Sequence, residues 1–136
     1  SEPPVTERGS VTMWMLGLTF ALLTLGVLSV DLWMLIGERR ELASVADAAA
    51  LAAVSAVDEV AWRDGDGLRL VPEMAEARAA EMLATAGVDG WVRVEADGVT
   101  ATVFVSRTVE TALLGLAGRS HVTVGASAQA TATLRD

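Results

Sequence analysis

A single carboxylate, Asp31, interrupts an otherwise apolar run, and its setting invites chemistry more than any other in this chain. An ionisable group among greasy neighbours is costly and often functional. Its functional reading is an ion pair with a partner subunit, because the alternative is an unpaired charge in lipid. The structural reading, weighed ahead of it, is a carboxylate near the end of the run that reaches water or a headgroup. Arg40 and Asp47 lie seven residues apart on one helical face and could bridge to neighbouring subunits, although exposed charges of this kind are usually just solvated. Gly17 and Ala21 form a small-xxx-small pair of the type that seats another helix. Ala49 belongs to an Ala-rich face fit for close packing against a neighbour.

The other polar candidates lack parts. Asp64-Gly-Asp-Gly67 starts like a calcium loop, but Leu68 and Leu70 occupy the next oxygen positions and the closing Glu is missing, so a plain turn is expected. His121, the single histidine, opens a strand beside Arg119 with no second His or acid at local spacing. There is no cysteine, which removes disulfides, thiolate zinc sites and thiol nucleophiles. The sequence thus assigns no catalytic, cofactor-binding or metal-binding residue, and an enzyme is not expected. A membrane-tethered hydrolase would require scattered carboxylates to converge in the fold. The formal net charge of -8 repels phosphate backbones and anionic surfaces, so nucleic acid is not an expected partner.

These residues must be positioned by an uncharged run from Gly9 to Val30, resuming after Asp31 as Leu-Trp-Met-Leu-Ile. About 20 apolar residues in a helix match a hydrocarbon slab about 30 Å thick. Trp14 and Trp33 lie about 28 Å apart along such a helix, near the spacing of the two interfacial aromatic belts. The expected organisation is a polar leader at 1–10, a transmembrane helix at 11–37 and an α+β domain at 38–136. A cleaved signal peptide would have a shorter core ending at a small-residue site, so an uncleaved single-pass anchor in the cell membrane is expected. Arg8 before the span and Arg39 and Arg40 after it do not decide the orientation.

Beyond the span, neither Pro nor Gly occurs from Glu38 to Trp62, and alanines recur throughout. One rod continuing to the Asp64–Gly67 turn is the simplest expectation, with Leu42, Val45, Ala49, Ala52 and Ala56 on one face. Pro72 starts a second helix ending at Gly87, with a stripe through Met74, Ala75, Arg78, Met82 and Leu83. Two alternating stretches, 91–96 and 99–105, flank Asp97-Gly98 and predict a hairpin. Pairing outward from a two-residue turn sets Val94 against Ala101, Val92 against Val103 and Trp91 against Phe104. Thr108–Ala117 reads as a short helix. From His121 a long strand alternates Val122, Val124 and alanines up to Leu134 with Thr, Ser and Gln. Its small inward residues predict that the Ala-rich rod or the second helix lies on it. The fold class is α+β: a long N-terminal helix and a second helix on a small antiparallel sheet of about three strands.

Arg8-Gly-Ser-Val, Asp31-Leu-Trp and Glu38-Arg-Arg-Glu-Leu-Ala-Ser-Val-Ala-Asp-Ala-Ala-Ala-Leu-Ala-Ala53 resemble the TadE/TadG-like pilus-assembly proteins of tight-adherence (Flp-type) systems. The tail, ending Val122-Thr-Val-Gly-Ala-Ser-Ala, extends the resemblance toward the TadG-related type of actinobacteria. The resemblance implies a minor-pilin-like or pseudopilin-like subunit with its N-terminus in the cytoplasm and its C-terminal domain outside. Its implied partners are the bilayer, pilus subunits and inner-membrane assembly proteins, in homo- or hetero-oligomers. One departure concerns processing: were Gly9 a prepilin cleavage point, Trp14 would stand where related subunits carry Glu. The alternative function is a single-pass extracytoplasmic sensor or binding module without pilus components.

Overall fold

A computed structural model describes residues 5–111, 113–116, 118 and 121–133. Helix α1 spans Val5–Val54, taking in residues 5–10 of the leader; Leu134 and Arg119 lie outside the described residues. At about 1.5 Å per residue its 50 residues reach about 75 Å. It ends at Val54, eight residues short of the rod expected to reach Trp62. The cause is tertiary. Ser55 and Ala56 donate back to Ala52 O and Ala53 O, and Val57 then bridges to Leu70. Asp58 N donates to Arg69 O at 2.7 Å, while the Asp58 carboxylate caps α2 (Glu59–Arg63) by accepting from Val60 N and Ala61 N. Asp64–Gly67 is the C-terminal turn of α2, with Gly65 and Gly67 at positive φ.

Helix α3 (Pro72–Ala86) begins with proline in its first turn and ends at Gly87, left-handed at φ 68°. Its inward stripe is Ala75, Ala79 and Leu83 rather than one including Met74 and Met82, which remain exposed. Close packing selects the small residues here. The sheet has the order β1 (Asp89–Val94), β2 (Thr100–Glu110), β3 (His121–Thr131), antiparallel throughout. The expected register holds: Trp91 faces Phe104, Val92 faces Val103 and Val94 faces Ala101. The Trp91 and Phe104 rings stack at 4.2 Å. Strand β2 runs on through Glu110, so Thr108–Glu110 is strand where a helix was expected; it pairs with His121–Thr123. Among the described residues of that stretch, Leu113–Leu116 (α4) is helical; Ala112 and Ala117 lie outside the described residues.

Helices α1 and α3 cover one face of the sheet, α1 over β2 and β3 and α3 over β1. Alanines at 46, 49, 53 and 56 are fully buried against Ala101 and Val103, so the layers approach closely. On the outer face, Glu95 accepts from Thr102 Oγ1 at 2.7 Å, Gln129 Nε2 donates to the same hydroxyl, and Thr100 bonds Thr131.

The hairpin connection is four residues long, not two. Glu95 N donates to Thr100 O and Gly98 N to Glu95 O, with Gly98 at φ 75°. Asp97 holds this loop by accepting from Thr100 Oγ1 at 2.6 Å and from Val99 N and Thr100 N. The Thr100 hydroxyl, with the two amides, keeps its carboxyl below the ordinary 3.8. A depressed folded pKa adds stability that is present above the unfolded pKa and lost as pH falls through the folded one. Asp97→Asn is therefore expected to lower the unfolding midpoint of the detergent-solubilised protein at neutral pH. The gap from wild type stays constant down to about pH 4 and closes below it. A gap independent of pH would contradict this role.

Candidate functional site

Below the head, α1 is bare. The side chains of residues 9–30 are exposed almost throughout, with Met13 73%, Trp14 70% and Phe20 72% exposed. An apolar surface of this extent far exceeds the roughly 300–600 Å² patch a soluble monomer tolerates. The helix contains a window of mean hydropathy 2.0 with none of it buried, which makes it a candidate membrane span. Its hydroxyls suit a dry environment: Thr19, Thr24 and Ser29 each donate to the carbonyl four residues back at 2.8 Å. Gly17 and Ala21 are both exposed, and Gly17 lies in a shallow apolar depression with Met13, Phe20 and Leu23.

The head begins at Asp31. This residue is 3% exposed and has an interaction partner within the chain. It shares a helical face with Leu35, Glu38, Leu42, Ala46 and Ala49, spaced three and four apart; of these Glu38 meets Arg107 of β2 and the last three join the core. From Asp31 onward one side of α1 is covered, while Leu32, Trp33, Met34 and Ile36 on its other sides stay exposed. At 3% exposure Asp31 has little surface left for the partner-subunit ion pair considered from sequence, and it does not reach out to water or a headgroup as the structural reading expected. Ala49 is a correction of the same kind: at 0% exposure it packs in the core and cannot touch another subunit. Arg40 and Asp47 are exposed on the opposite side of the helix, and neither forms an ion pair among the described residues. The structure thus separates the six candidates: Gly17 and Ala21 on the bare helix, Arg40 and Asp47 on its outer flank, Asp31 buried at the base of the head and Ala49 in its core.

A clamp that sequence reasoning missed sits just above the bare segment. Arg107 Nη1 lies 2.9 Å from Glu38 Oε2 and 3.7 Å from Glu41 Oε2, tying β2 to α1. Its signal was an Arg at an inward position in the alternation Val103, Val105, Arg107, Val109, hidden because the strand was ended at Val105. His121 opens β3 opposite Glu110, with Nε2 3.6 Å from its carboxylate and both side chains exposed. Among the described residues no group of three or more His, Cys, Asp or Glu could hold a metal ion. The arrangement offers surfaces for packing and pairing.

The chain matches a family model over residues 9–57, that of the TadE/G-like Flp pilus-assembly domain. The matched segment is the bare helix, its passage under the head and the turn that ends α1, a little over a third of the chain. It supports involvement in Flp pilus assembly. No curated protein and no solved structure matches the chain.

Proposed function

We propose that this chain is a membrane-anchored accessory subunit, minor-pilin-like or pseudopilin-like, in the assembly of an Flp-type pilus or a related secretion system. The observation that carries this reading is an overlap: the family match over 9–57 takes in the exposed apolar helix, the part of α1 that enters the head and the turn that follows it. In this reading 9–30 lies in the cell membrane, the N-terminus is cytoplasmic and the head stands outside. The work is packing rather than catalysis: the bare helix with Gly17 and Ala21 meets inner-membrane assembly proteins, while Arg40 and Asp47 face other pilus subunits. The sequence resemblance favours the TadG-related actinobacterial type.

The test is removal of the gene from a bacterium that makes Flp-type pili through this locus, followed by complementation. Loss of surface pili, restored by the wild-type chain and not by Gly17→Ile/Ala21→Ile, is the expected result. Those substitutions fill the small-residue face without adding charge, so membrane insertion should persist. Normal piliation in the deletion strain would overturn the reading and favour a single-pass binding module. Co-purification from detergent separates the two, since only the pilus reading requires assembly proteins to accompany the chain.

A further inference from the structure

We propose that the free edge of β3 is a strand-addition site that takes an extended, uncharged segment of a different polypeptide. The bonding pattern defines the edge. Ala132 N donates to Val99 O, and antiparallel pairs alternate between bonded and unbonded, so Val122, Val124, Ala126, Ala128 and Ala130 exchange bonds with β2. The intervening residues Thr123, Gly125, Ser127 and Gln129 turn their N–H and C=O groups outward. Among the described residues none of these groups has a backbone partner. A row of this kind recognises another extended main chain, not a helix or a lipid.

Natural edges are blunted by charge, proline, bulges or shortness. This one has none of these devices: β3 is 11 residues long, pairs with β2 without interruption, and carries neither charge nor proline from Val122 to Thr131. The shorter β1 edge, by contrast, carries Asp89 and Arg93. A shoulder for the incoming side chains is also present. Leu32, Leu35, Ile36 and Arg39 of α1 line an open groove with Val122–Gly125, and Leu32 and Ile36 are 57% and 44% exposed. An added strand would lay its inward side chains on this apolar step, with Arg39 at its margin.

A second copy of the chain does not suit the edge: its β1 edge is only six residues long and blunted by Asp89 and Arg93, and its β3 edge could pair only with the anchor reversed. Strand β3 runs in the same direction as α1: Val122–Gly125 lies by Leu32–Arg39, and Thr131 pairs with Thr100 at the end where α1 stops. Two-fold pairing of β3 edges is antiparallel, so it would point the two bare helices in opposite directions. One bilayer could not hold both with the heads on one side. That exclusion rests on the anchored reading above; the edge itself does not depend on any pilus role.

The test uses the full chain in detergent micelles and amide hydrogen exchange. The probe is a nine-residue peptide alternating Val and Thr between terminal lysines. In the free chain, amides of Thr123, Gly125, Ser127 and Gln129 should exchange fast while those of Val124, Ala126 and Ala128 are protected. At peptide about ten times its Kd, the four fast amides should slow about tenfold. The effect should vanish with a peptide N-methylated at alternate residues, and with Ser127→Pro, which removes an outward N–H and spares the β2 ladder. The N-methylated control keeps the test valid should that variant fold poorly. No slowing, or slowing insensitive to N-methylation, overturns the proposal. Concentration-dependent protection of the same amides without peptide would make a second copy the occupant and overturn it too. Because no pilus component is involved, failure here is distinguishable from failure of the assembly role.

Discussion

Ala49→Leu is expected to destabilise the head by about 3 kcal/mol, the upper part of the range for overpacking. Ala49 is 0% exposed, and its neighbours Ala46, Ala50 and Ala53 are 0%, 1% and 0% exposed. Three added carbons have no surface route out, so α1 must lift from the sheet or twist its side chains off their rotamers. Small domains hold only about 5–15 kcal/mol in total, which makes this loss large. The measurement is chemical unfolding of the detergent-solubilised protein, read beside its membrane fraction. The unfolding midpoint should fall steeply while the chain stays in the membrane, because residues 9–30 are untouched. A head of unchanged stability with impaired subunit association would instead restore Ala49 to the contact surface that its sequence pattern suggests.

Gly90→Ala is expected to be comparably damaging, also about 3 kcal/mol. A Cβ at this position falls onto Phe104 O of the paired strand and lies 3.0 Å from Leu83 Cδ1 and 3.2 Å from Val105 Cγ1. Leu83 can shift a few tenths of an ångström. The Phe104 carbonyl belongs to the β1–β2 ladder and can move only by deforming it. Glycine here is a matter of space, since its φ is not positive. The readout is again the unfolding midpoint, and Gly17→Ala serves as the comparison because nothing lies within 4 Å of a Cβ there. Equal stability of the two variants would show that α3 does not press on β1 as described.

What the sequence revealed, and what it hid, follows the range of the interactions. The bare helix was legible because some twenty uncharged residues need no tertiary information. The hairpin register was legible because alternation on both sides of Asp97-Gly98 points the same residues inward whether the loop has two residues or four. The end of α1 was not: alanine propensity favours helix through Trp62, and the Val57–Leu70 bridge that stops it is set by residues more than ten positions away. The same applies to Thr108–Glu110: the Ala- and Leu-rich residues that follow suggest a helix over the whole stretch, and pairing with His121–Thr123 makes these three strand. Among the site candidates, spacing placed Arg40 and Asp47 correctly on one exposed face. It could not tell that the Ala49 face is consumed by the chain's own sheet, because an Ala-rich stripe packs a sheet or a neighbour equally well.

The central claim is that residues 9–30 cross the membrane and hold the head outside the cytoplasm. The chain contains no cysteine, so single substitutions report position cleanly. Labelling of Ser10→Cys, Leu22→Cys and Asp47→Cys with a membrane-impermeant maleimide in intact spheroplasts tests the claim most directly. The account predicts reaction at position 47 in intact cells, at position 10 only after the inner membrane is permeabilised, and at position 22 only after detergent. Protection of position 47 in intact cells, or reaction of position 22 in a soluble fraction, would contradict it.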